Sequence, residues 1–425
     1  MSAESAGSSS ESEAPLDAFA ALRLPFVRAF ALGRIAAVLG AQIISVAVGW
    51  QLYERTHDAW ALGLTGLFEL APVLVLTLPA GNAADRFPRR NLAIFAHMLL
   101  AIAALGLALV SFRGAPVPVI FALLLLVGSA RAFASPSVGT IMPQLLKPEQ
   151  FANANAWLAS SYQLAAISGP ALGGFLIALR GDATWAFLAA AAGQILFVLM
   201  LSTLPAKAPP AHQDKRKPSD LFAGFGFIRR NPVFLAAITL DLFAVLLGGA
   251  VALLPVFAKD ILHVGPVGLG WLRAAPSLGA LTMALLTTRL PPWPRPGRAL
   301  LITVAGFGLA TIGFGLSRSV PLSLICLFFS GVFDEVSVVI RLTLEQVLTP
   351  DSVRGRVSAL HFVFIGFSNQ FGSFESGATA ALFGPIASVV GGGIGTLLVV
   401  ALVASAWPAL SKLGPLHTLR PAEID

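Results

Sequence analysis

Long apolar stretches dominate the chain and are separated by short polar stretches. A helix needs roughly 20 apolar residues to cross the hydrocarbon core of a bilayer. A membrane β-barrel would instead show alternating apolar and polar positions. The pattern therefore predicts an all-α integral membrane protein with twelve transmembrane helices. We place them at approximately residues 27–53, 60–80, 91–112, 117–140, 154–179, 183–204, 231–257, 265–288, 299–317, 320–346, 354–383 and 385–408.

The longest polar stretch divides these twelve segments into two sets of six. Across it a short sequence repeats: QLLKPEQF begins at Gln144, and QVLTPDSV begins 202 residues later at Gln346. Both copies join the fourth and fifth helix of their set, so we expect two pseudo-symmetric six-helix bundles. The domain interpretation is a disordered cytosolic tail at 1–25, an N-terminal bundle at 26–204, a cytoplasmic linker at 205–230, a C-terminal bundle at 231–408 and a cytosolic tail at 409–425.

The linker ends in a segment with helical periodicity. Leu221, Phe222, Phe225 and Ile228 recur at helical spacing, which favours a helix lying along the membrane interface. An unstructured linker is the alternative.

Composition agrees with a membrane location, since hydrophobic residues make up 56% of the chain and charged residues only 12%. The single cysteine, Cys326, excludes an intrachain disulfide and any cysteine-based metal site. We expect no cofactor and no metal, and the absence of a phosphate-binding loop argues against ATP-driven pumping.

The net charge of +7 reflects membrane orientation rather than nucleic-acid binding. Leaving aside the four arginines deeper in the apolar segments (Arg34, Arg131, Arg273 and Arg341), lysines and arginines number 19 on the side that holds the N-terminus and 5 on the opposite side. Positive residues concentrate in cytoplasmic loops. Both termini are therefore expected in the cytoplasm of a multi-pass protein of the bacterial plasma membrane.

Polar and ionisable residues within the apolar segments are candidates for function, because a charge at membrane depth costs several kcal/mol by most scales. Glu69 and Asp334 are the foremost candidates for binding and releasing a proton, and Arg131 could pair with Glu69 or with an anionic substrate. The full candidate set for proton coupling or substrate contact is Glu69, Asp334, Glu335, Arg131, Arg34, Asp241, Arg341, Glu375, Asn369 and Gln370.

Helix 10 carries a polar stripe. Asp334, Val338, Arg341 and Glu345 follow one another at i, i+4, i+7 and i+11, so they lie on one face from mid-membrane toward the cytoplasm. Arg341 and Glu345 are spaced to pair with each other. Arg34 and Asp241 lie nearer the cytoplasmic ends, where snorkelling or a gate pair would account for them. His97 and His361 are expected to be packed or interfacial.

Three segments carry a family resemblance. The loop between helices 2 and 3 reads GNAADRFPRR and holds Gly81, Asp85, Arg86, Arg89 and Arg90. Helix 11 opens with Arg354, Gly355 and Arg356, and helix 5 contains Gly169, Pro170, Gly173 and Gly174. Together they resemble the major facilitator superfamily, in the branch of siderophore exporters and macrolide efflux proteins.

The resemblance implies roles for these segments. Asp85 would latch one conformation by contacting the start of helix 11, and Gly81 would permit close backbone approach. The helix 5 segment is similar to the antiporter motif, with Ala165, Gly169 and Gly173 forming a smooth packing face. In the second half the corresponding loop around Arg289 to Arg298 has no acidic residue, so a symmetrical latch is in doubt.

The function expected from these features is secondary active transport by alternating access. We expect a proton-coupled exporter of an amphiphilic small molecule such as a drug or siderophore. An importer or facilitator of a small solute, or a lipid flippase on the same fold, is the alternative. No cluster typical of an intramembrane enzyme occurs. The expected partners are a small-molecule substrate, protons and the lipid bilayer, without nucleic acid, and the resemblance favours a monomer.

Overall fold

The structure is a computed structural model that describes residues 19, 21–207, 225–291 and 293–415. The predictions for most of both tails, and for Leu221 and Phe222 of the linker, lie outside these residues. Residues 225–230 of the linker are helical, and Ile228 packs with Phe234 and Val357.

The N-terminal half consists of six long helices in the described part of the chain. Four of them begin and end within about three residues of the predicted positions. The second continues six residues past 80, so Gly81, Asp85 and Arg86 of the predicted loop lie on its last turns, and the fifth begins six residues before 154. The six helices are α1 (Pro25–Thr56), α2 (Ala59–Arg86), α3 (Arg89–Arg113), α4 (Val117–Val138), α5 (Pro148–Arg180) and α6 (Thr184–Ser202). The fourth helix was predicted to continue to 140. It ends at Val138, and a separate short helix at Ile141–Leu145 follows, where Gly139 and Pro143 interrupt regular helix.

The C-terminal half also has six long helices among the described residues. They are α7 (Pro232–Leu247), α8 (Gly265–Thr287), α9 (Pro296–Leu316), α10 (Val320–Leu348), α11 (Asp351–Phe383) and α12 (Pro385–Ala406). The prediction of one continuous helix over 231–257 was wrong. Regular helix ends at Leu247 before Gly248 and Gly249, and a 3₁₀ turn, a short α-turn around Pro255 and a π-turn carry the chain on to Ile261.

Eleven helices of the described chain are long and apolar enough to cross a membrane. The seventh of these spans runs through the irregular turns, from Pro232 to Ile261. The twelfth long helix, α11, is not among them, although it has 33 residues and packs alongside α2 and α7. It carries Arg354, Arg356 and Glu375 with several amides and hydroxyls, so protein contacts or water, rather than lipid, must satisfy much of its surface.

Small residues let the helices of each half pack closely. In the N-terminal half α1 packs on α5 and α6. A Cβ on Gly40 would lie 2.8 Å from the carbonyl oxygen of Ala190, so only glycine fits there. The buried Gln194 side chain donates to the Ala37 carbonyl at 2.9 Å and contacts His97 at 2.7 Å, which ties α6 to α1 and α3.

The two halves meet mainly through two helix pairs, α2 with α11 and α5 with α8. We call the end of the bundle at residues 56–59, 180–184 and 261–265 the closed end, and the opposite end, which the linker joins, the linker end. Among the described residues, the hydrogen bonds and ion pairs between the halves all lie from the middle of the bundle to the closed end. The described residues therefore lock the halves together at the closed end.

One close approach of the backbones across the halves is at Gly63 of α2 and Gly377 of α11. A Cβ on Gly63 would lie 2.9 Å from the Cα of Gly377 and 3.0 Å from the Phe374 carbonyl oxygen. Both neighbours are backbone atoms and cannot move away cheaply. Closure of this end therefore depends on glycine at these two positions.

We predict that Gly63→Ala destabilises this conformation by about 1–3 kcal/mol, the usual cost of overpacking a well-packed site. The measurement is the apparent melting temperature of purified protein in detergent. Gly391→Ala on α12 is the matched control, because a Cβ there meets nothing within 4 Å and the change should be neutral or slightly stabilising. Equal melting temperatures for the two variants would contradict the close approach of α2 and α11.

Candidate functional site

A cavity of about 520 Å³ lies between the two halves near the centre of the bundle. Both halves supply its walls, through α1, α2 and α4 on one side and α7 to α11 on the other. Its polar and charged lining residues are Gln42, Ser45, Thr65, Glu69, Arg131, Arg273, Thr311, Ser330, Asp334, Asn369, Gln370 and Ser373. Apolar residues including Leu62, Phe307 and Phe314 complete the wall. The volume lies in the range of small-molecule sites, and so does the mixture of apolar wall and few polar groups.

Glu69 and Arg131 form an ion pair across α2 and α4 at one wall of this cavity. Glu69 lies ten residues into α2, which places it about 15 Å from the closed end. Gln370 of α11 donates a hydrogen bond from its Nε2 to the same Glu69 carboxylate oxygen at 2.9 Å. The Glu69 side chain is 14% exposed and that of Arg131 is 34% exposed, so the guanidinium is the more accessible partner.

The sequence of α4 explains how Arg131 reaches this carboxylate. A Cβ on Gly128 would lie 3.1 Å from the Glu69 Cα, so α4 and α2 are in backbone contact one turn before Arg131. Such an approach requires glycine. The close contact leaves no room for water between the two helices and fixes the pair at the cavity wall.

Arg273 of α8 supplies a second guanidinium to the cavity. Its Nη2 donates to the Ser45 hydroxyl of α1 at 2.5 Å, so it bridges the two halves. It lines the same cavity as Glu69 and Arg131. No carboxylate of the described residues forms an ion pair with Arg273, which leaves part of its donor capacity for a ligand.

Asp334 of α10 and Asn369 of α11 face the cavity from the C-terminal half, and both are exposed to it. Within the described part of the chain Asp334 has no recorded hydrogen bond or ion pair. Its carboxylate is therefore available to accept hydrogen bonds from a solute or to bind a proton. The cavity thus combines one neutralised pair, one cation and one anion.

The closed end seals this cavity. Lys259 donates to Glu54 at 2.7 Å, and the Tyr53 hydroxyl donates to Asp260, so the last turn of α1 is tied to the π-turn after α7. Gln163 of α5 donates to the Ser277 carbonyl of α8 at 3.3 Å. The Lys259 and Tyr53 contacts fix the halves at the closed end, and the Gln163 contact lies near the middle of α5 and α8. The described residues form no such contact at the linker end.

At the linker end the predicted latch loop is built within its own half. Arg89 is buried, lies 3.5 Å from the Asp85 carboxylate and donates to the Thr140 hydroxyl at 2.9 Å. Arg90 donates to the Leu204 carbonyl at 2.6 Å, and Arg86 is exposed. The loop therefore braces α2 and α3 against the residues that follow α4 and α6.

The expected close backbone approach at Gly81 was wrong for this conformation. A Cβ there would meet nothing within 4 Å, and the same holds for Gly355 at the start of α11. Arg354 donates to the Thr349 carbonyl at 3.2 Å and so caps the end of α10, and Arg356 is exposed. The two segments stand at the end where the halves are apart, so tight packing there would require the other conformation. That contact remains a prediction.

The small residues of α5 do pack closely, but on two different neighbours. A Cβ on Gly169 would lie 3.3 Å from the Leu39 carbonyl oxygen of α1, and one on Gly173 would lie 3.3 Å from the Ile43 Cα of the same helix. Gly174 faces Gly270 across the halves, and Pro170 packs on Gly270 as well. The segment therefore packs against α1 within its own half and against α8 of the other half.

The expected pair between Arg341 and Glu345 was wrong. Arg341 forms an ion pair with Asp241 of α7, and Glu345 accepts from Ser358 and contacts His361 of α11. Side chains from two other helices, α7 and α11, reach these groups, so each charge has a partner on another helix. All four ionisable residues are buried and lie outside the cavity lining.

Three further candidates also lie away from the cavity lining. Arg34 of α1 lies within Coulombic range of Tyr162 on α5. Glu335 is half-buried beside Asp334, and Glu375 contacts Ser376 at 3.5 Å farther toward the closed end. The described residues contain no group of three or more histidine, cysteine or acidic side chains arranged to hold a metal ion.

Several cavity residues were not singled out as site residues from the sequence. They include Gln42 and Ser45 of α1 and Thr65 of α2. Arg273 was identified as a cation at membrane depth but was not included in the predicted set of site residues. A signal existed, since Thr65 and Glu69 are four residues apart and Gln42 and Ser45 are three apart, which places each pair on one helix face. Polar residues at helical spacing within an apolar segment mark the face turned toward the cavity.

Comparison with known proteins places the chain in a family. The model of the Major Facilitator Superfamily matches residues 30–373. The enterobactin exporter EntS of Shigella dysenteriae is 30% identical over 382 residues, covering 89% of this chain and 91% of the relative, and the EntS protein of Escherichia coli matches equally well.

Solved structures share the fold at low sequence identity. A bacterial homologue of the human lysosomal transporter Spinster, in an inward-facing unoccupied conformation, matches with a TM-score of 0.69 at 14% identity and covers 91% of this chain and 96% of its own. A POT family transporter in complex with 5-aminolevulinic acid matches with a TM-score of 0.72 at 12% identity, covering 91% and 96%. The family match, the EntS relatives and the two six-helix halves around a central cavity show that this chain is a transporter of the Major Facilitator Superfamily.

Proposed function

We propose that the chain is a proton-coupled exporter of an amphiphilic small molecule of the siderophore or drug type, in the bacterial cytoplasmic membrane. The observation that carries the proposal is the charged cavity between the halves, with the Glu69–Arg131 pair, the Arg273 guanidinium and the exposed Asp334. Export is supported by the relatives, which are named enterobactin exporters.

Alternating access requires a site that both halves share and that one end closes at a time. The linker end holds most of the positive loop residues, 19 against 5, and so belongs in the cytoplasm. Both termini lie on that side. The conformation described is then closed toward the outside, with the cavity between halves that are apart at the cytoplasmic end.

The cavity suits an amphiphile because its wall is apolar and its few polar groups have opposite charges. Arg273 and the accessible side of Arg131 can donate to an anionic or carbonyl oxygen, and Asp334 and Asn369 can accept from hydroxyl or amine groups. A solute with several polar groups on an apolar frame can use both sets at once.

Proton coupling follows from the two cavity carboxylates. An exporter driven by inward proton movement must bind the solute and the proton in alternation. A proton on Asp334 removes the acceptor charge that a solute would use, so solute release and proton binding are linked. A proton on Glu69 cancels its ion pair with Arg131 and loosens the contact of Gln370 with the same oxygen, which joins α2 to α11 across the halves. Each proton therefore changes both the cavity charge and the contact between the halves.

We predict that Glu69→Gln and Asp334→Asn each abolish most transport driven by a pH gradient in proteoliposomes. Enterobactin is the probe, because the relatives are named for it. The variants retain the side-chain volume and lose only the exchangeable charge. Undiminished pH-driven transport by both variants would show that neither carboxylate carries the proton. If a variant binds enterobactin more weakly but its transport still responds to the pH gradient, the residue contacts the solute and does not couple transport to protons.

Asp182→Asn is the matched control for this experiment. Although burial alone would raise its pKa, hydrogen bonds from Thr184 and the neighbouring Arg180 lower the pKa of Asp182 below its ordinary value. It lies between α5 and α6 at the closed end and stays ionised as the pH falls toward its usual range. The control should transport like the parent protein over the same pH range.

We also predict that Arg273→Gln raises the KM for an anionic solute about tenfold, since a hydrogen bond to a charged group contributes about 1.5–3 kcal/mol. The rate at saturation should fall less than the affinity. Arg318→Gln is the matched control, because Arg318 is exposed at the closed end, outside the cavity. A KM unchanged by Arg273→Gln would show that the solute does not use this guanidinium.

A further inference from the structure

A second cluster of charged side chains lies in the C-terminal half, apart from the central cavity. It comprises Asp241 of α7, Arg341 and Glu345 of α10, and Ser358 and His361 of α11. Its four ionisable members are between 4% and 7% exposed. None of the five lines the cavity. We call these five residues the α10 cluster.

The N-terminal half has no equivalent of this cluster. Subtracting the repeat offset of 202 from each cluster position gives Leu39, Gly139, Pro143, Ala156 and Ala159, all of them without an ionisable or hydroxyl group. The half that carries the Asp85–Arg89 pair in its loop therefore lacks the buried cluster. The half with the buried cluster lacks an acidic residue in the corresponding loop. The two halves hold their charges at the linker end in different ways.

The charges of the α10 cluster do not balance without an added proton. Asp241 and Arg341 neutralise each other, and the Arg341 Nε donates to the Ser337 carbonyl at 3.2 Å. The partners of Glu345 among the described residues are then the hydroxyl of Ser358 and the Nδ1 of His361. With a neutral imidazole the buried cluster carries one net negative charge, and one proton makes it neutral.

The geometry shows where that proton can bind. His361 uses its Nδ1 toward Glu345, while its Nε2 is buried and has no hydrogen-bond partner among the described residues. If Nδ1–H donates to Glu345, the Nε2 lone pair is open, and a proton there turns the contact into an ion pair. Alternatively the proton lies on Glu345. In both cases the two groups share a single proton.

Charged groups lie near His361 on each of the described elements that pack around it. They are Asp241 from α7, and Arg341 and Glu345 from α10. On α11 itself Arg354 and Arg356 are exposed, one to two turns nearer the linker end, and the linker helix adds exposed Arg229 and Arg230 beside the packed Ile228. Among the described residues, Glu345 is the one carboxylate that contacts the imidazole, so it has the dominant effect on His361.

We infer that the α10 cluster is a second proton-binding site, which holds one proton between Glu345 and His361 at a distance from the solute cavity. Apart from this cluster, α10 packs mainly on α8 and α9, whereas α11 packs on α2 and α7. The proton therefore joins two helices that otherwise share few contacts. Its loss leaves an uncompensated charge and favours a conformation in which water reaches the cluster at the linker end.

The test counts protons on purified protein without any solute, so it does not depend on the proposed transport activity. Unbuffered protein in detergent is acidified from about pH 8 to about pH 5, the range in which an ordinary histidine titrates, and proton uptake is read with a soluble pH dye. His361→Gln and Glu345→Gln should each take up about one proton fewer per molecule than the parent. Because the proton is shared, the double variant should lose no more than either single variant.

His97→Gln provides the matched control. His97 is buried to a similar degree on α3, but its Nδ1 contacts the neutral amide of Gln194 at 2.7 Å instead of a carboxylate. The His97→Gln variant should take up as many protons as the parent protein. Gel filtration of each variant confirms that the fold is retained, and the control must elute with the cluster variants.

Three results would overturn the inference. Unchanged proton uptake in both single variants would show that the cluster binds no proton in this range. Additive losses in the double variant would show two independent groups. A loss in His97→Gln equal to that in His361→Gln would show that any buried imidazole in this protein binds a proton, and that Glu345 has no specific effect.

Discussion

The arrangement of this protein depends on the cost of placing charge within a membrane. A buried ion is tolerated only when a partner neutralises it or when it faces water, and removing one partner of a buried pair costs about 3–5 kcal/mol. The described residues satisfy this constraint with the half-buried pair Glu69–Arg131 at the cavity wall and the buried pair Asp241–Arg341. Each pair joins two helices of one half, so the charges also determine how those helices pack.

The other two charges in the cavity, Arg273 and Asp334, differ from these pairs because no ion pair neutralises them among the described residues. Arg273 donates a hydrogen bond to a hydroxyl, and Asp334 is exposed to the cavity and has no hydrogen bond or ion pair with any described residue. Such groups are costly unless water, a solute or a proton satisfies them. The free-energy cost of these cavity charges is lowest when a solute or a proton occupies the cavity. Arg273 and Glu69 also form hydrogen bonds across the halves, with Ser45 and Gln370, so occupancy of the cavity affects the contacts between the halves. Glycines at the closed end let backbones meet there, so that one end closes while the other is apart.

Much of this fold could be predicted from the sequence, because hydropathy and the repeat depend on local composition. The twelve segments, the two halves and the depth of Glu69, Arg131 and Asp334 followed from periodicity and position. The partners of Arg341 and Glu345 did not, since the rotation of α10 relative to α7 and α11 depends on packing across the bundle. Gly81 was expected to approach another backbone closely. It is open in this conformation, in which the halves are apart at the linker end. The end of α7 at Leu247 was missed because apolar residues continue through its irregular turns.

The central claim is that solute and protons cross the membrane in opposite directions through one cavity. The most direct test loads proteoliposomes with enterobactin, dilutes them into solute-free medium without a pH gradient, and follows the internal pH with a trapped dye. The account predicts that the interior becomes more acidic as solute leaves, because each solute molecule that leaves is exchanged for a proton that enters. Alkalinisation would show that solute and proton move together, and a constant internal pH during solute exit would show transport without protons.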